Sequence, residues 1–70
     1  MSEELKAVDI QISRLGSVVM FTALTRKSLE WVKENVPLES WQWQGPAFAV
    51  EHGYADDLAA AMEAGGLTVD

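Results

Sequence analysis

Trp41-Gln42-Trp43-Gln44-Gly45-Pro46-Ala47-Phe48-Ala49-Val50-Glu51 is the stretch whose reading decides the fold. Two short alternating runs flank a Gly-Pro pair, the pattern of a β-hairpin. Successive strand residues point to opposite faces, so Trp41 and Trp43 are expected to share a face, as are Phe48 and Val50. The first run is brief and polar at Gln42 and Gln44, which suits a sheet edge. The second, Ala47 to Glu51, is more apolar and is expected inside the sheet.

Working outward, Ser17 to Leu24 holds the continuous apolar run Val18-Val19-Met20-Phe21, typical of a central strand. Thr25 then offers an N-cap hydroxyl with Ser28 three positions on, a capping box without its usual Glu or Gln. A helix is predicted from Arg26 to about Val36, with Leu29, Val32 and Val36 on its buried stripe and Pro37 ending it. Trp31 lies about 200° around from Leu29, at roughly 100° per residue, so it either flanks the stripe or projects outward. On the other side of the hairpin His52-Gly53 is expected to end the strand. A second helix should start at Tyr54 or Ala55 and run to Ala64. Its first turn would hold Asp56 and Asp57, and Tyr54, Leu58, Ala61 and Met62 would form its buried stripe. Gly65-Gly66 supplies a left-handed cap, and Leu67-Thr68-Val69 reads as a last short strand.

This order predicts an α+β fold, a small ferredoxin-like βαββαβ sandwich over residues 17–70. It would have a four-stranded antiparallel sheet, its first and third strands central and both helices on one face. Residues 1–16 are then an N-terminal extension. Leu5, Val8, Ile12 and Leu15 recur at helical spacing while Val8, Ile10 and Ile12 alternate at strand spacing, so the expectation is a loosely ordered amphipathic segment.

Composition narrows the function classes. The chain has 70 residues, 49% of them hydrophobic, enough for one packed core and too many for a disordered chain. Absence of cysteine excludes disulfides and thiolate zinc sites. The acidic Met1–Lys6 lacks the layout of a signal peptide, and no apolar run approaches the roughly 20 residues of a membrane helix, so a soluble cytoplasmic protein without membrane partners is expected. The formal net charge of −6 is unevenly placed. Lys6, Arg14, Arg26, Lys27 and Lys33 all precede Glu34, and from there the chain carries Glu34, Glu39, Glu51, Asp56, Asp57, Glu63 and Asp70 with no Lys or Arg. That half is ill suited to direct nucleic-acid binding, which needs positive charge, and suits either solubility or a partner with a basic surface.

The catalytic inventory is thin. His52 is the only histidine, and no serine sits in a Gly-x-Ser-x-Gly context. Asp56 and Asp57 are adjacent on a helix and diverge by about 100°, so they cannot converge on one atom. Gly65-Gly66 precedes a strand instead of opening a helix, the wrong setting for phosphate. No metal, cofactor or catalytic residue is expected, and the chain is read as not an enzyme. Phe21 and Phe48 occupy the places where RNA-recognition modules of this topology stack bases, but without the basic signature of those modules they are read as core. Trp41 and Trp43 either roof the helices or serve, with Trp31, as interface anchors.

Phe21-Thr22-Ala23-Leu24-Thr25, Glu34-Asn35-Val36, Val50-Glu51, Tyr54-Ala55-Asp56-Asp57-Leu58 and Gly66-Leu67-Thr68-Val69 resemble a group of short uncharacterised bacterial proteins of phages, plasmids and other mobile elements. The resemblance covers residues 20–70 and implies an accessory protein that acts by binding, with no functional residue to carry over. The resulting expectation is a non-catalytic acidic protein-interaction module that binds or inhibits a basic host protein. Its candidate contact residues are Trp31, Trp41, Trp43, Asp56, Asp57 and Glu63. The alternatives are a small-ligand or enzymatic domain using His52 and Tyr54, or a domain that only self-associates as a homodimer.

Overall fold

A computed structural model describes residues 8–70, with the Trp41 side chain and residues 1–7 outside the described part. The strands are β1 (Ile10–Leu15), β2 (Val18–Ala23), β3 (Trp43–Gln44) and β4 (Ala47–Glu51), and the helices are α1 (Arg26–Asn35) and α2 (His52–Ala64). The architecture is α+β: one four-stranded antiparallel sheet in the order β1-β2-β4-β3, with two helices.

The two expected central strands are central. β2 and β4 pair over Val18↔Glu51 to Thr22↔Ala47, and this register sets Phe21 opposite Phe48 and Val19 opposite Val50. Those four residues face the helices and are buried with Val32, Val36, Ala55, Leu58 and Met62 in a single core. The Phe21 and Phe48 rings stack with centroids 5.5 Å apart, and Trp43, opposite Phe48, meets it edge-on at 5.2 Å. This cross-strand aromatic ladder is the centre of the core, each buried phenylalanine contributing about 1.5–3 kcal/mol of transfer free energy. Both rings are fully buried, so neither is open to a stacked base.

The ferredoxin-like order is not formed. In that arrangement the last strand lies antiparallel beside the first strand of the motif, which here is β2. That place is taken by β1, which pairs with β2 from Ile10↔Ala23 to Leu15↔Val18 across the two-residue turn Gly16-Ser17. Closing so short a loop costs less chain entropy than bringing the C-terminus back to β2. The C-terminal segment is left to run parallel along the outer side of β1. It is joined by Asp9 N to Thr68 O (2.9 Å), Ile12 N to Asp70 O (2.9 Å) and Asp70 N to Ile10 O (2.9 Å), and it forms only an isolated bridge, Ile10↔Val69. Residues 10–15, expected within a loosely ordered extension, are therefore a sheet strand. Pairing with β2 selects the strand template that local spacing could not.

α1 begins as expected. The Thr25 hydroxyl accepts from Ser28 N (3.1 Å) while Ser28 Oγ accepts from Thr25 N (3.3 Å), so serine completes the capping box in place of Glu or Gln. The hairpin departs from expectation on its first side. Ser40–Gln42 is a single 3₁₀ turn, held by Glu39 N donating to Gln42 Oε1 (2.9 Å) and Gln42 N to Glu39 O (3.0 Å). β3 is therefore only Trp43–Gln44, and Trp41 does not share a strand face with Trp43.

α2 also starts earlier, at His52, whose Nε2 lies 2.7 Å from the Gly16 carbonyl in the β1–β2 turn. The earlier start puts Asp56 and Asp57 beyond the first turn, outside the strongest field of the helix dipole. It also moves the buried stripe to Ala55, Leu58 and Met62, leaving Ala61 exposed and Tyr54 44% exposed. At the far end Leu67 N donates to Met62 O (3.0 Å) and Gly66 N to Glu63 O (3.0 Å), a Schellman cap. Gly66, at φ +94, is its left-handed residue, while Gly65 keeps an ordinary φ of −82.

Candidate functional site

Asp56, Asp57 and Glu63 project from α2, and all three are exposed. Asp56 and Glu63 are seven residues apart, two helical turns, and so share one stripe. Asp57 lies about 100° away and lines a crevice between the helices with Trp31, Asn35 and Ala61. Asp56 Oδ1 sits 3.5 Å from Arg14 Nη2, with side-chain exposures of 83% and 57%. A pair so exposed is worth at most about 1 kcal/mol and leaves the acidic surface largely free to meet a partner.

Trp31 and Trp43 are both partly buried and packed against the core. Trp31 lies between the helices, its indole against Gly65: a Cβ there would come within 3.1 Å of Trp31 Cε2. The indole thus packs on the end of α2. Trp43 is half-buried on the helix-facing side of the sheet against Phe48. The Trp41 side chain lies outside the described residues. His52 and Tyr54 do not converge: His52 is engaged with the Gly16 carbonyl, while Tyr54 faces a groove that His52 does not line. Among the described residues no three His, Asp or Glu side chains come together as metal ligands do. No helix among them is long and apolar enough to cross a membrane.

The groove under Tyr54 has a volume of about 530 Å³. Its walls are Val36, Pro37 and Leu38 at the exit of α1, with Val18, Val50 and Tyr54 opposite and Glu51 at its rim. It exists because β3 and β4 differ in length. β3 covers β4 only at Phe48 and Ala47, so Ala49, Val50 and Glu51 have no strand on that flank. Sequence reading missed this feature. The polar brevity of the Trp41–Gln44 run marked an edge, but the groove depends on the 3₁₀ turn that shortens β3.

Asp9 is one of the few buried polar residues among the described ones, at 8% exposure. Its Oδ1 accepts from the Thr25 hydroxyl (2.7 Å) and its Oδ2 from Thr68 N (2.9 Å), tying β1 to the cap of α1 and to the C-terminal segment. The Thr68 amide, then the Thr25 hydroxyl and the nearby Lys27 charge, hold its carboxyl below the ordinary value of 3.8 against the opposing effect of burial. The only sequence signal was an acid set between Val8 and Ile10.

No family model, curated protein or solved structure matches this chain.

Proposed function

We propose that this chain is a non-catalytic, acidic protein-interaction module that binds a partner presenting a basic surface. The observation that carries the reading is the placement of charge. Asp56, Asp57 and Glu63 stand exposed on α2, and Glu51 stands exposed at the rim of the adjoining apolar groove. No Lys or Arg follows Lys33, and Arg14 meets Asp56 only in a largely solvated pair. Acids beside apolar surface steer a basic partner and then give it area to bury. The resemblance to mobile-element proteins fits an accessory role of this kind, in which the bound host protein is inhibited.

Self-association is the second reading, and the open face of the sheet favours it. That face carries Leu15, 56% exposed, beside the half-buried Val18, Met20 and Ala49. Affinity capture from a lysate of the source organism, washed at low and then high salt, separates the two readings when paired with light scattering on the bait. The module reading expects a stoichiometric basic protein released by salt. A stable dimer that retains no basic protein would replace it with self-association, and a monomer that retains none would remove both.

A further inference from the structure

We infer that Tyr54 is the ridge between two adjoining cavities, each with an acid, which together take two Lys or Arg side chains of one extended segment of the partner protein. The inference rests on the interaction-module reading and names the residues that would grip the partner. The groove of about 530 Å³ and the crevice between the helices, about 360 Å³, are both lined by Val36 and Tyr54, so they meet there. Both volumes fall within the roughly 300–1,000 Å³ of ligand pockets. Each cavity carries one exposed carboxylate, Glu51 in the groove and Asp57 in the crevice. No Lys, Arg or His of the described chain lines either one. Asp56 and Glu63, the other acids of α2, line neither cavity, so the Arg14–Asp56 pair does not compete for the site.

The start of α2 sets this arrangement. Tyr54 stands three positions after Glu51 and three before Asp57, and residues three apart are neighbours on a helix surface. Glu51 is the N-cap residue, yet its side chain makes no capping bond, so the helix end does not engage its carboxylate. Glu51 and Asp57 are six positions apart, about 9 Å along the axis at about 1.5 Å per residue. Tyr54, 44% exposed, stands between them.

These features select the occupant. Val36, Pro37 and Leu38 in the groove and Trp31 in the crevice offer apolar wall beside an acid, which suits a side chain with an aliphatic stem and a cationic tip. A guanidinium at the ridge also gains from the face of the Tyr54 ring. In an extended segment, side chains two or four positions apart point the same way and lie about 7–14 Å apart, which brackets the axial separation of the two acids. A purely apolar segment would leave both carboxylates without a partner.

The test is selection of a random phage-displayed heptapeptide library on the 70-residue chain, followed by calorimetry with the synthesised peptides. Two double variants remove the same charge: Glu51→Gln/Asp57→Asn from the cavities and Asp56→Asn/Glu63→Gln from outside them. The expected peptides carry Lys or Arg two or four positions apart. Their affinity should fall about tenfold or more in the first variant and less than about threefold in the second. Tyr54→Ala should weaken them about fivefold, and Tyr54→Phe, which keeps the ring, should not. All these side chains are exposed, so melting curves near the native one separate lost contacts from lost fold. Equal weakening by the two double variants would overturn the paired cavities and leave a diffuse acidic interaction surface standing. No weakening by either would overturn both. Failure to enrich peptides with paired basic residues would overturn the site, while the salt-washed capture decides the module reading separately. Spermidine binding as tightly as the peptides would assign the cavities to a free polyamine and overturn the protein segment.

Discussion

Replacing Asp9 tests how the two ends of the chain are held to the core. In Asp9→Ala both carboxylate contacts are lost, the Thr25 hydroxyl at 2.7 Å and the Thr68 amide at 2.9 Å. A hydrogen bond to a charged group contributes about 1.5–3 kcal/mol. The Thr25 hydroxyl can turn to Ser28 Oγ, 3.1 Å away, and recover part of its share, whereas the Thr68 amide loses its side-chain partner. The net cost is therefore about 3 kcal/mol, which for a domain of this size lowers Tm by roughly 12–24 °C. Thermal and urea unfolding followed by circular dichroism reads both quantities. Because the folded-state pKa lies below the ordinary value of 3.8, the carboxylate's contribution is complete above that pH and is lost as pH falls through the folded pKa. The stability gap between the native chain and Asp9→Asn should be constant at neutral pH and narrow in that acid window. A cost under about 1 kcal/mol, or a gap that persists unchanged to pH 2, would refute the reasoning.

Three further outcomes follow from the packing. Gly65→Ala forces the Trp31 indole to move and should cost about 1–3 kcal/mol; combining it with Trp31→Ala should be clearly less than additive in a double-mutant cycle of unfolding free energies. Phe48→Ala removes the middle ring of the Phe21–Phe48–Trp43 ladder, about 3–5 kcal/mol, and should abolish the cooperative thermal transition in so small a domain. Arg14→Ala should change stability by no more than about 0.5 kcal/mol in the same melts, since its partner Asp56 is largely solvated.

The parts of the fold legible in the sequence were those fixed by local chemistry. Thr25, Ser28 and Pro37 bound α1 through a cap and a stop that act within a few residues. Gly45-Pro46 marks the hairpin turn and Ala47–Glu51 the inner strand, because burial of Phe48 and Val50 leaves a period of two. The parts that were not legible depend on distant partners. Ile10–Leu15 fits helix and strand spacing alike until β2 supplies its pairing. His52-Gly53 reads as a break, yet α2 starts there, and His52 finds its partner in the Gly16 carbonyl 36 positions earlier. Of the candidate site, exposure of the three α2 acids was foreseeable from charge. The inward placement of Trp31 and Trp43, the Asp9 clasp and the groove along β4 needed the register.

The acidic surface bears the central functional claim, and charge reversal tests it most directly. The variant Asp56→Lys/Asp57→Lys/Glu63→Lys changes only exposed side chains, so its melting curve should stay close to the native one. Its affinity for the salt-released basic partner, measured by calorimetry at low salt, should fall by about tenfold or more, with the difference shrinking as salt is added. A folded variant that binds that partner as tightly as the native chain would contradict the account.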